Sequence, residues 1–156
     1  MPVLVYRISA FTADPFAGNP AVVCLMDAPA DDAWMQAFAR EMNVSETAFA
    51  HAQGDDYRLR WFTPTTEVRI CGHATLATTH VLRETGRLAY GETARYDTLS
   101  GLLTGVARDG LLWLDFPARP TRHHPYRPGP ATGGQRADSP PLVTITWRRC
   151  RSRRRQ

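Results

Sequence analysis

The segment Ala74 to Leu82, ATLATTHVL, holds no charged residue and is built mostly from small ones. It lies inside a longer stretch, ICGHATLATTHVLRETG, from Ile70 to Gly86, whose pattern predicts a helix from Gly72 to about Thr85 with Gly86 at its C′ position. A surface helix keeps one polar face for water, and this one has none. It must therefore be enclosed on most of its sides. A chain of 156 residues is long enough for one domain with a real core and too short for two of ordinary size, so the enclosing layer must come from the same domain. The helix also opens on Cys71, Gly72 and His73, residues that either pack and cap or sit where chemistry occurs.

The flanking sequence supplies strands for that layer. VLVYRISAF, Val3 to Phe11, is rich in strand formers, DPFAGNP concentrates turn residues, and AVVCLM, Ala21 to Met26, is a short apolar run. Together they read as a hairpin-like pair. Asp31 or Asp32 is the candidate N-cap of a first helix running to Met42, with Trp34, Met35, Phe38 and Met42 spaced by threes and fours. VSETAFAHA and YRLRWFTP read as two strands, the second ended by Pro64. ARYDTLS, GLLTGVARDG and LLWLDFP follow the buried helix, with a turn at Arg108 to Gly110. The order ββαββαβββ is an α+β arrangement, and a strongly bent sheet wrapped around the second helix would account for its composition.

Charge divides the chain at about residue 120. Every basic residue is arginine; up to Pro120 there are 10 against 14 acidic residues, and from Thr121 onward 9 against the single Asp138. The net charge of +4 thus belongs to the last segment, and residues 1–120 are mildly acidic. Residues 121–156 combine Pro, Gly and Arg without periodicity, and only LVTITW could pack as a strand. Three origins fit this tail: a nucleic-acid-binding arm, a solvated linker, or an out-of-frame translation of GC-rich coding sequence. Its few aromatics, Tyr126 and Trp147, offer little stacking for a single strand, which makes nucleic acid an unlikely partner. Three separated cysteines, Cys24, Cys71 and Cys150, form neither a disulfide framework nor a metal knuckle, and suit a reducing cytoplasm. No signal peptide and no membrane span is expected, since the longest apolar runs fall far short of about 20 residues.

Three places could carry chemistry. Glu46, in REMNVSETAFA, is either a solvated carboxylate in a connection or, flanked by Val44 and AFA and beside Ser45, a carboxylate shielded enough to move protons. Gly72 and His73 either begin a core helix or form an anion seat, because first-turn N–H groups lack helical partners and sit at the positive end of the dipole. Gly72 would let a ligand approach the backbone, and His73 could donate to the anion or exchange a proton. Cys71 either fills space or, beside a helix N-terminus, has a lowered pKa and serves as a base or nucleophile. Asn19, between Gly18 and Pro20, is a turn residue or a polar contact for a ligand. His80 lies about 10 Å along the axis from His73, so those two cannot share a metal, and no metal site is expected.

The segments AFTADPFAGNPAVVCL, MQAFAREMNVSETAFA, LRWFTPTTEVRICGHATLATTHVL and SGLLTGVARDG resemble, in order and spacing, the front of the PhzF-like family of phenazine-biosynthesis isomerase-type proteins. The resemblance runs from about Val3 to Pro117. It implies one lobe of the two-lobed diaminopimelate epimerase-like fold, a curved mixed sheet wrapped around a central helix. It also implies acid/base catalysis without metal or coenzyme, in a cleft between lobes, on a small carboxylated substrate of a biosynthetic pathway. Carried onto this chain, Glu46 is the general acid/base, His73 with the amides around Gly72 the anion clamp, and Ser45 and Asn19 secondary polar contacts. Cys71 departs from the phenazine members and is similar to a catalytic thiol position of diaminopimelate epimerase, which makes it the alternative base.

Members of the family are about twice as long, and their second lobe brings an acidic residue and a Thr-Gly-Ser-type loop to the cleft. Nothing after Pro117 resembles either feature. The expectation is an N-terminal lobe with isomerase ancestry, inactive by itself and associating with itself through the exposed face where a second lobe would dock. The alternatives are a non-catalytic truncated remnant and, less favoured, a nucleic-acid-binding protein using the RRCRSRRR arm.

Overall fold

A computed structural model of the chain describes residues 3–12, 14 and 16–116. The tail expected from residue 121, with its LVTITW strand, His123, His124, Cys150 and arginine arm, lies outside the described residues. The elements in chain order are β1 (Leu4–Ala10), β2 (Asn19–Met26), α1 (Asp32–Met42), β3 (Glu46–Gln53), β4 (Asp56–Phe62), β5 (Glu67–Val68), α2 (Gly72–Glu84), β6 (Thr93–Thr98), β7 (Gly101–Arg108) and β8 (Leu111–Asp115). The short strand β5 is an addition to the expected order. It is two residues long, too short to leave a periodic signal, and pairs with the end of β4.

The strands form one eight-stranded mixed sheet in the order β1-β2-β3-β4-β6-β7-β8, with β5 beside β4. Two of its pairings are parallel: β2 with β3, connected through α1, and β4 with β6, connected through α2. A parallel neighbour cannot be reached by a tight turn, so each needs such a crossover. The helices take opposite faces. Helix α2 packs against β1, β2 and β3 at one side of the sheet and β7 and β8 at the other, so the sheet curls around it. Helix α1 covers the outer face at β3 and β4.

Strand β2 shows why its sequence reads as a continuous apolar run. Ala21, Val23 and Leu25 join the core around α2, while Val22, Cys24 and Met26 join the core under α1. Both faces are covered, and alternation is lost. β3 and β4 divide their residues in the same way, with Ala48, Ala50, Leu59 and Trp61 inside and Phe49 and Phe62 outside. Under α1, Phe49 meets Phe38 and Phe62 edge-on at centroid separations of 5.9 and 5.5 Å. Helix α1 is capped as expected: the Asp31 carboxylate accepts from the amides of Ala33 and Trp34 at 2.9 and 3.1 Å.

Helix α2 confirms the inference from its composition. All nine residues from Ala74 to Leu82 are buried. Its threonine hydroxyls need no outside partner, because Thr75, Thr78 and Thr79 donate to the carbonyls of Cys71, Ala74 and Thr75 at 2.6, 2.8 and 3.0 Å. Thr79 also meets the Tyr96 hydroxyl at 2.7 Å. Gly105 of β7 lies so close that a Cβ there would overlap Thr79 Oγ1, so small residues on both elements permit the sheet to close onto the helix. No helix among the described residues is long and apolar enough to cross a membrane.

Candidate active site

The parallel register of β2 and β3 builds the site. Ala21 is the Cα partner of Glu46, so the two strands begin at the same end of the sheet, bringing Asn19, Pro20, Ser45 and Glu46 together. Glu46 shares strand parity with Ala48 and Ala50, which face α2, and therefore points inward. The first turn of α2 arrives at this same end. His73 Nε2 lies 3.2 Å from Glu46 Oε2, with the side chains 10% and 21% exposed respectively. Glu46 Oε2 is buried yet makes no hydrogen bond; its approach to His73 has ion-pair distance but not hydrogen-bond geometry.

Ser45 and Asn19 stand beside this pair. The Ser45 hydroxyl lies 2.8 Å from the Pro20 carbonyl, 3.3 Å from Asn19 Oδ1 and 3.3 Å from His73 Nε2. Asn19 is the first residue of β2 rather than part of a turn, and its amide binds Ser45 within the site. On the other side of the imidazole, Cys71 Sγ is 3.4 Å from Nδ1. Asn19, Ser45, Glu46, Cys71 and His73 thus gather at one end of the sheet, with Gly72 between the last two in the chain, while His80 lies farther along α2.

The expected low pKa of Cys71 is corrected. Burial pushes the thiol up to about 12, the Glu46 charge adds to the rise, and the amides of Ala74 and His73 pull the other way without prevailing. Proximity to a helix N-terminus activates a thiol only when the sulfur remains accessible to water, and Cys71 is 7% exposed. At neutral pH it is a protonated thiol. Burial also lowers the His73 pKa, opposed by Glu46 and the Pro20 carbonyl, which favours the uncharged ring.

The two helices differ at their starts. Helix α1 has a carboxylate cap and Asp32 in its first turn, whereas Cys71 at the N-cap of α2 makes no side-chain cap hydrogen bond and no acidic residue follows. No side chain of α2 itself supplies an anion to its positive end. A Cβ on Gly72 would meet only Phe116 Cζ, at 3.8 Å, so the space before this turn is open up to that ring.

Glu46, Cys71 and His73 each bring one metal-capable atom within 4.8 Å of the others, a grouping the spacing of His73 and His80 does not reveal. The donor set suits a cation poorly. The ring turns Nδ1 to the sulfur and Nε2 to the carboxylate, and a cation on either nitrogen would lie on one side of the ring. A cavity of about 560 Å³ occurs elsewhere, on the outer face. Its Arg58 and Arg60 are already paired with Asp97 and with Glu67 and Asp32, and none of the site residues lines it. Sequence reasoning missed the Pro20 carbonyl, which has no side-chain signature, and Phe116, whose place over Gly72 depends on the curl of the sheet.

The model of the phenazine biosynthesis-like protein family, PhzC/PhzF, matches residues 8–137, reaching past the change of composition at 120. An uncharacterized isomerase of Halalkalibacterium halodurans is 47% identical over 127 residues, which are 81% of this chain and 48% of that protein. The crystal structure of a PhzF-family protein from Enterococcus faecalis superposes with a TM-score of 0.69 at 40% identity, over 72% of this chain and 43% of that one. A probable proline racemase from Agrobacterium radiobacter, 14% identical, aligns with a TM-score of 0.53 over 70% of this chain and 39% of that one, and shows the fold alone. The fold is one lobe of the diaminopimelate epimerase-like type, and the chain spans about half the length of the curated relatives it matches. By this match over most of its length, the chain belongs to the phenazine biosynthesis-like (PhzF) family, whose curated relatives include proteins named as isomerases.

Proposed function

We propose that this chain carries the proton-transfer half of a cofactor-independent isomerase site that acts on a small carboxylated molecule in a biosynthetic pathway. The observation that carries the reading is the buried Glu46 Oε2, without a hydrogen bond, 3.2 Å from His73 Nε2 at the uncapped start of α2. The substrate carboxylate binds the amides around Gly72 and the His73 ring, with Ser45 and Asn19 as polar neighbours. Glu46 takes a proton from one atom and returns it to the same or another one. Because clamp and base are so close, the reacting C–H must lie near the carboxylate in the bonded framework. The buried, protonated Cys71 is the weaker candidate for the base.

Isomerases of this kind enclose the substrate, and closure of this site requires a second wall. A second lobe or a second copy of this chain would supply it, docking at the end of the sheet where Phe11 and Phe16 are exposed. The chain alone would then bind carboxylates weakly and turn over slowly or not at all. The binding half is tested by NMR titration of the ¹⁵N-labelled chain with a panel of small carboxylates. The amides of Gly72 and His73 should show the largest shifts; shifts confined to the arginine-rich tail would overturn the assignment.

A further inference from the structure

The hydrogen bonds around His73 form a chain that runs in one direction when every member keeps its shortest bond. The Pro20 carbonyl can only accept, and it lies 2.8 Å from Ser45 Oγ; the second neighbour, Asn19 Oδ1 at 3.3 Å, also accepts. The single Ser45 proton is committed to these oxygens, so Ser45 Oγ presents a lone pair to His73 Nε2, 3.3 Å away. With the Ser45 proton on the Pro20 carbonyl, Nε2 brings the proton to that contact; only if the hydroxyl turned away from its shorter bond could Nε2 accept instead. In an uncharged ring Nδ1 is then bare, and the group facing it is the Cys71 sulfur at 3.4 Å.

We propose that the Cys71 thiol donates to Nδ1 and, together with the Ser45 lone pair at Nε2, holds His73 as the tautomer protonated on Nε2, which makes Cys71 a positioning residue of the site. Each member then donates once and in sequence: Cys71 S–H to His73 Nδ1, His73 Nε2–H to Ser45 Oγ, Ser45 O–H to the Pro20 carbonyl. Burial raises the thiol pKa and lowers that of the ring, and both shifts favour the uncharged forms this arrangement uses. With Nδ1 occupied and the proton on Nε2, the ring has no bare nitrogen to compete as a base, and an arriving anion would accept the Nε2–H hydrogen bond in place of Ser45 Oγ. A second thiol-bearing role, as a metal ligand, conflicts with the two nitrogens facing different partners. The link from tautomer to anion binding rests on the proposed function; the tautomer itself does not.

The experiment is NMR of the full chain labelled with ¹⁵N and ¹³C in histidine, reading nitrogen and ring-carbon shifts at pH 7.5 and assigning His73 by its loss in His73→Gln. The wild type should show His73 protonated on Nε2. In Cys71→Ala, Nδ1 has no donor and the Ser45 hydroxyl is free to turn its proton to Nε2, so the shifts should move toward an average with the Nδ1-protonated form; Cys71→Ser, whose hydroxyl can also donate, should restore the wild-type pattern. A wild-type ring protonated on Nδ1, or identical shifts in all three proteins, would overturn the proposal. If Cys71→Ala does not fold, the wild-type measurement still decides, since it needs no variant to give the contrary result. Loss of carboxylate binding with the Nε2 tautomer intact would count against the proposed function and leave this inference standing.

Discussion

Glu46 Oε2 and His73 Nε2 meet at 3.2 Å although 27 residues separate them in the chain, one opening β3 and the other in the first turn of α2. The proposed function divides the work of this pair between a proton carrier, Glu46, and a hydrogen-bond donor to the anion, His73, and the division predicts different effects. His73→Asn should weaken binding of a small carboxylate by roughly 10-fold or more, the loss expected for one hydrogen bond to a charged group. Glu46→Gln keeps size and most hydrogen-bonding capacity and should leave affinity within about 3-fold, or tighten it by removing a negative charge. Calorimetric or NMR titration of the two variants checks this, and equal losses would deny separate roles.

The closest approach in the core gives a stability prediction. A methyl group at Gly105 would overlap Thr79 Oγ1, so Gly105→Ala should destabilise the fold by about 1–3 kcal/mol, as overpacking does. In the background of Thr79→Ala, which removes both Oγ1 and Cγ2, the cost should shrink. Urea unfolding of the four proteins forms a double-mutant cycle; strict additivity would mean that β7 and α2 do not press on each other.

Acid should destabilise the fold through α2. Burial, assisted by the charge of Arg83, lowers the His80 pKa to about 3 from an unfolded value of 6.5. The unfolded chain binds this proton below 6.5 and the folded one does not, so the contribution is complete above pH 6.5 and declines as pH falls toward 3. His51 and His73 are shifted in the same direction. Stability should drop by about 2 kcal/mol from pH 7 to pH 5 on account of His80, and His80→Asn should flatten that dependence. Denaturant titrations at the two pH values measure it; a stability that rises on acidification would reject a neutral buried ring.

How much of this was legible in the sequence depended on whether the cause was local. The Asp31 cap, the enclosed ATLATTHVL segment and the Gly86 stop are set by nearby residues, and each reads directly; Gly86 takes a φ of 72°. The two parallel pairings are decided by which strands the helices cross between, and no residue in β2 or β3 announces its neighbour. Glu46, Ser45, Asn19 and His73 are candidates from motif and resemblance, but only the Ala21–Glu46 register explains why the first three meet, and only the packing of α2 inside the sheet brings His73 to them. Helix position alone predicts a low pKa for the Cys71 thiol, but burial, which the sequence does not display, prevails.

The central claim is that Glu46 moves a proton on a bound carboxylate. It is tested most directly by following deuterium incorporation from D₂O, by mass spectrometry, into a panel of small unsaturated and α-substituted carboxylates. The protein used is a chimera in which residues 1–116 replace the matching part of the Halalkalibacterium halodurans isomerase. The account predicts enzyme-dependent incorporation that falls by roughly 10²- to 10⁴-fold in Glu46→Gln, the contribution of a positioned acid/base. Incorporation that continues at the same rate in Glu46→Gln would contradict it.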